Sequence, residues 1–107
     1  VMREKVEGGF NKWAAGDLRG ALSDYRDVAA SVAVPDVIAY SRASEIQFLQ
    51  YVCMQAELYT LTLSQKLGRH ADAAAAAGRA ITRAHAAVAA TACVSDEASF
   101  KARLRAR

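Results

Sequence analysis

The chain has 107 residues, of which 53% are hydrophobic and 23% are charged, with a net charge of +3. This length fits one domain, residues 1–107, and this balance excludes an intrinsically disordered chain. Alanine, the best helix former, occurs 25 times and proline once. We therefore expect an all-α fold rather than a β-sandwich or a barrel.

The two cysteines, Cys53 and Cys93, have apolar, core-like neighbours and form no C-x-x-C or Cys/His cluster. Neither a disulfide framework nor a metal site is indicated, and no cofactor is expected. The N-terminus lacks the apolar stretch of a signal peptide, and no uncharged apolar run reaches the roughly 18 residues of a membrane span. We expect a cytoplasmic protein with no membrane span. The first residue, Val1, indicates a domain excised from a longer protein.

Four breaks divide the sequence into predicted helices. Residues 16–17 can end one helix and cap the next, and Pro35 pushes the residue before it toward an extended conformation. Gly68 marks the third break, and residues 95–97, Ser-Asp-Glu, form a helix N-cap signal. The predicted helices span residues 2–14, 17–33, 36–66, 70–92 and 96–106.

The third predicted helix carries two apolar stripes. The first consists of Ile46, Leu49, Cys53, Ala56, Tyr59, Leu63 and Leu67, and the second of Phe48, Tyr51, Val52, Leu58 and Leu61. Coverage this wide predicts burial on two sides of the helix. If one stripe were exposed instead, it could pair with its copy and give a homo-oligomer through this helix.

One spacing occurs twice. Gly16 is followed at offsets of five, nine and twelve by Ala21, Tyr25 and Val28, and Gly68 is followed at the same offsets by Ala73, Ala77 and Ala80. The glycine permits a tight turn between antiparallel helices, and the small residue at offset five lets the second helix pack onto the first. The repeated spacing therefore predicts two helical hairpins.

Residues 14–29, Ala-Ala-Gly-Asp-Leu-Arg-Gly-Ala-Leu-Ser-Asp-Tyr-Arg-Asp-Val-Ala, resemble the second half of a tetratricopeptide repeat, and Gly9 lies where that repeat has an earlier glycine. Residues 65–81 resemble the same stretch of a second repeat, although an alanine replaces the expected aromatic residue. Residues 99–105 resemble the opening helix of a third. The resemblance implies an array of antiparallel helical hairpins.

The spacing of the two copies departs from the family. Tetratricopeptide repeats have a period of 34 residues, whereas Ala21 and Ala73 lie 52 positions apart. The excess of 18 residues equals about five helical turns. An insertion of whole turns keeps the same side of the helix facing its neighbouring helix. We infer that the extra length extends the helix around residues 36–55.

The resemblance also implies a partner-binding groove on the first helix of each pair. Many domains of the family bind a C-terminal carboxylate there through lysines, asparagines and an arginine. Lys101 and Arg105 resemble the third-repeat pair, but Val6, Phe10 and Tyr59 stand where other members of that clamp would be, so a complete clamp is not expected. The predicted partner-binding residues are Lys5, Lys12, Tyr59, Lys101 and Arg105.

The remaining chemical signals do not indicate catalysis. Neither His70 nor His85 has a carboxylate or cysteine at ligand spacing. Residues 69–107 carry a charge of +4, but without interleaved aromatics or a recognition-helix pattern, so nucleic acid is not an expected partner.

The sequence predicts a non-catalytic protein-interaction or scaffold module that binds a partner peptide or helix in a helical groove. Two alternatives stay open. Residues 16–25 are also similar to the microtubule-interacting-and-trafficking family, whose members are compact helical bundles that bind short partner helices; a right-handed helical bundle would fit the same pattern of helices. The chain could also be a self-associating helical assembly domain.

Overall fold

The computed structural model describes residues 2–35 and 42–105. Within these ranges it consists of helices and short connections, with no strand. The all-α fold that the composition predicts is therefore confirmed. The four helices are α1 (Met2–Ala14), α2 (Leu18–Ala30), α3 (Ala43–Lys66) and α4 (His70–Arg105).

Left-handed glycines follow α1 and α3 and turn the chain into each hairpin. Gly16 has a φ of 86° and Gly68 a φ of 74°, a region that residues with a Cβ atom rarely adopt. Asp17 then caps α2, because its carboxylate accepts a hydrogen bond of 3.0 Å from the backbone N–H of Gly20. The breaks predicted at residues 16–17 and at Gly68 are confirmed.

The fourth predicted break is wrong. Residues 95–97 lie inside α4, which continues for 36 residues, so residues 96–106 do not begin a separate helix. An N-cap signal does not end a helix unless a residue before it breaks the helical backbone, and residues 79–94 contain neither glycine nor proline. α4 is therefore the longest helix, about 54 Å by its residue count.

The second hairpin is much longer than the first. α1 and α2 each have 13 residues, whereas α3 has 24. The prediction that extra length extends the helix around residues 36–55 is confirmed for residues 43–55. The predicted start at residue 36 is wrong for a continuous helix, because Arg42 is the non-helical N-cap of α3 and the helix begins at Ala43. Residues 36–41 lie outside the described residues.

α2 packs between α1 and α3, and α4 packs along α3. The core of the first three helices contains Ala21, Leu22 and Tyr25 from α2 and Leu63 from α3. A second cluster joins Val28 and Ala29 of α2 to Ala56 of α3. At offsets of five, nine and twelve from the two glycines, every residue is buried except Ala77, which is partly exposed.

Gly9 allows α1 to lie directly against the ring of Tyr25. A Cβ atom at Gly9 would be 2.9 Å from Cζ of that ring, which is closer than real Cβ contacts. The ring is fully buried and also touches Phe10 and Trp13 edge to face, at centroid distances of 5.8 and 6.2 Å. Burial, with smaller contributions from Tyr59 and Asp24, raises the pKa of Tyr25 to about 12.

This close approach predicts opposite effects for two glycine substitutions. We expect Gly9→Ala to lower the free energy of unfolding by about 1–3 kcal/mol, because the added methyl group overpacks a ring that has no room to move. Gly78→Ala places the same methyl group on α4 with no atom within 4 Å, so it should raise the free energy of unfolding by about 0.5–1 kcal/mol. Chemical denaturation of both variants measures the difference. Stabilisation by both would show that α1 does not approach Tyr25 this closely.

Candidate interaction surface

The two predicted stripes of α3 have different environments. Cys53, Ala56 and Leu63 of the first stripe are buried. In the second stripe Phe48, Tyr51 and Leu58 are 64%, 51% and 45% exposed. The predicted burial is therefore wrong for these three residues, whereas Val52 of the same stripe packs against the second core cluster and Leu61 is partly buried.

The physical reason is that α4 packs against polar positions of α3. The residues buried on that side include Gln50, Glu57, Thr60 and Ser64. They fit because α4 presents Ala73, Ala76 and Ala80, whose small side chains allow a close approach of the two helices. A helix buried along this polar stripe leaves Phe48, Tyr51 and Leu58 on its outer side.

Two of the buried polar side chains have charged partners on α4. The Glu57 carboxylate, of which 3% is exposed, accepts a hydrogen bond of 2.8 Å from Nε of Arg79. Gln50 Oε1 accepts one of 3.0 Å from Arg83, which is itself buried. These contacts fix the register of α3 against α4.

Arg83 also caps the C-terminal end of α2. Its guanidinium donates to the backbone carbonyls of Ala29 and Val32, and Gln50 donates to the carbonyl of Ala33 at 3.0 Å. Carbonyls at the end of a helix lack intrahelical partners, and the helix dipole favours a cation there. This role of Arg83 was not predicted from the sequence, because an arginine in an alanine-rich helix has the pattern of a surface residue.

Large apolar side chains are exposed on the outer side of the α3–α4 hairpin. We call the following five residues the apolar face: Phe48, Tyr51 and Leu58 of α3, and Ile81 and Val88 of α4. Ile81 is 59% exposed and Val88 69% exposed. Hydrophobic patches of this kind commonly mark interaction sites.

These five residues form one surface because the helices are antiparallel. Tyr51 and Val88 line the same groove of about 340 Å³, which Phe48 also lines and whose floor includes Ala87. Leu58 lies seven residues after Tyr51, and Ile81 lies seven residues before Val88. Since seven residues are close to two helical turns, Leu58 and Ile81 face each other further along the same side.

The apolar face carries no charged side chain. Between Phe48 and Leu58, and between Ile81 and Val88, the only residues of the Asp, Glu, Lys or Arg type are Glu57 and Arg83. Both are buried on the opposite side of the hairpin. Most of the exposed residues beside the apolar face on α4 are small: Ala74, Gly78, Ala89 and Ala92, with His85 among them.

The predicted cationic site residues of α1 pair with carboxylates of α2. Nζ of Lys5 lies 2.8 Å from Oδ2 of Asp27, and Nζ of Lys12 lies 2.9 Å from Oδ2 of Asp24. The hydrogen bond to Asp27, together with its charge, raises the pKa of Lys5. These two lysines therefore already contribute ion pairs to the first hairpin.

The other three predicted site residues lie elsewhere. Tyr59 is partly buried against the rings of Phe10 and Tyr25, at centroid distances of 5.4 and 5.0 Å. Lys101 and Arg105 lie on α4, with side chains outside the described part of the structure. The structure does not bring Lys5, Lys12 and Tyr59 to the apolar face, and their role in partner binding stays a prediction.

The two cysteines differ in burial. Cys53 is fully buried, and burial raises the pKa of its thiol, whereas Cys93 is only partly buried. Within residues 2–35 and 42–105 no three His, Cys, Asp or Glu side chains lie close enough together to hold a metal ion. Nor does this part of the chain contain a helix long and apolar enough to span a bilayer.

Comparisons of the chain with protein-family models, with curated proteins and with solved structures found no match. The resemblance to tetratricopeptide repeats therefore stays a prediction.

Proposed function

We propose that this chain is a non-catalytic protein-interaction module, and that a helix of a partner protein packs on the apolar face. The supporting observation is the exposure of all five apolar-face residues, each by 45% or more, on one side of a two-helix layer. Fully burying a side chain of this size contributes about 1.5–3 kcal/mol. Several of them together can hold a partner.

The shape of the apolar face favours a helical partner. It consists of a groove between two antiparallel helices, and a third helix can insert a row of side chains at spacings of three and four into such a groove. From Phe48 to Leu58 the apolar face extends over about 15 Å of helix. A partner helix of about three turns would cover it.

The charge distribution favours an apolar contact over an ionic one. Lys5 and Lys12 already have carboxylate partners within the first hairpin. A partner that approached these lysines would have to replace existing ion pairs, whereas a partner on the apolar face replaces only water. A contribution of Lys101 and Arg105 to an acidic segment of the partner is compatible with this arrangement.

A non-catalytic role is proposed because the residues most suited to chemistry lie apart. Cys53 is buried with a raised thiol pKa, which disfavours the reactive thiolate. His70 and His85 are both exposed on α4 and are separated by about four helical turns. Exposed histidines on a helix surface are common and do not by themselves indicate a catalytic site.

Site-specific photocrosslinking tests the proposal. A photoreactive phenylalanine analogue replaces Tyr51 on the apolar face, and in a matched variant it replaces Phe10, which is 45% exposed on α1. We expect defined covalent adducts from position 51 and not from position 10, in cell lysate or with the purified chain alone. Adducts from both positions alike, or from neither, would contradict the proposed function.

A further inference from the structure

We infer that the helix on the apolar face belongs to a second copy of this chain, so that two copies pack face to face about a two-fold axis. The inference rests on the proposed function and names its partner. Three properties of the apolar face support it: its shape, its charge and its area.

The shape is self-complementary. On the α3 side the apolar face is bulky, with Phe48, Tyr51 and Leu58 exposed. On the α4 side Ile81 and Val88 are exposed, and the exposed residues beside them, Ala74, Gly78 and Ala89, are small and leave a shallow surface. A two-fold axis places the bulky side of one copy on the shallow side of the other, and each copy then makes both contacts at once.

The charge permits like copies to meet here. Two copies of one chain always present the same charge to each other, so a face with a net charge would repel its copy. The apolar face has no charged side chain, although the whole chain has a net charge of +3. Between Ile81 and Val88 the only exposed ionisable residue of α4 is His85.

The area is close to what a dimer needs. With about half to two-thirds of each side chain in solvent, the five residues expose on the order of 500 Å². A stable interface of standard size buries about 800 Å² on each partner. The exposed alanines and Gly78 beside the apolar face supply further apolar area on contact, so the pair reaches the lower range of stable dimers.

Sedimentation equilibrium over a wide concentration range measures the association of the chain. We expect a concentration-dependent shift from 11.4 kDa toward twice that mass. Val88→Glu should raise the dimer dissociation constant by more than about tenfold, because two-fold symmetry buries a glutamate from each copy. Ser23→Glu adds the same charge at an exposed position of α2 and should leave the constant unchanged. Circular dichroism of both variants shows whether each keeps its helices.

A second measurement locates the contact. A photoreactive analogue at Phe48 should produce a covalent dimer in which the crosslinked peptide comes from residues 74–92 of the other copy. A chain that stays monomeric at every concentration, or a dimer that forms equally well with Val88→Glu, overturns the inference. The proposed function has a separate outcome: if the chain is monomeric but position 51 captures another protein and position 10 does not, only the inference of a dimer fails.

Discussion

Arg83→Met is expected to lower the free energy of unfolding by about 3–5 kcal/mol. Methionine retains the apolar stem of the side chain but removes the donors that serve Ala29, Val32 and Gln50. Ala29 and Gln50 are buried at the junction of α2, α3 and α4, where water does not easily replace the lost hydrogen bonds, and Val32 is partly buried there. Urea denaturation of the variant measures the loss.

Two further substitutions separate the geometry of Arg83 from its charge. Arg83→Lys retains the positive charge but lacks the planar guanidinium that reaches all three acceptors. It should therefore be more stable than Arg83→Met and less stable than the unchanged chain. Arg19→Met removes an exposed arginine from α2 and should change the free energy of unfolding by less than about 0.5 kcal/mol. If Arg83→Met cost no more than Arg19→Met, the guanidinium would not cap α2.

The parts of the fold that depend on neighbouring residues in the chain were predictable. Gly16 and Gly68 adopt the left-handed conformation that ends a helix. Asp17 caps α2 by accepting a hydrogen bond from the backbone N–H of Gly20, three residues later. Ala21 is fully buried because a helical hairpin requires a small residue there. Each of these features depends only on residues within a few positions of a helix end.

The candidate site was harder to predict because it depends on which side of α3 receives α4. Apolar coverage alone does not distinguish Phe48, which is exposed, from Leu63, which is buried. What decides is the set of polar residues that find partners on α4, such as Glu57 with Arg79. A signal was present: Gln50, Glu57 and Ser64 recur every seven residues, which places them on one face of the helix.

Arg79→Met should lower the free energy of unfolding by about 3 kcal/mol, which is more than the loss expected for Glu57→Gln on the partner side chain. The substitution removes the counterion of the Glu57 carboxylate, and this side chain is buried, with only 3% of it exposed. Glu57→Gln instead leaves behind Arg79, whose side chain is 50% exposed and can be hydrated, so the loss should be about 1 kcal/mol or less. Thermal and urea denaturation of the two variants measure the asymmetry.

The double variant Arg79→Met, Glu57→Gln tests the cause of that asymmetry. If an uncompensated buried carboxylate is responsible, Glu57→Gln should restore most of the stability that Arg79→Met removes, because a neutral amide is far less costly to bury than a charge. Simple additivity of the two losses would mean that Glu57 is hydrated in the folded chain. α3 would then not pack its polar stripe against α4, and the geometry that leaves Phe48, Tyr51 and Leu58 on the outside would lose its physical basis.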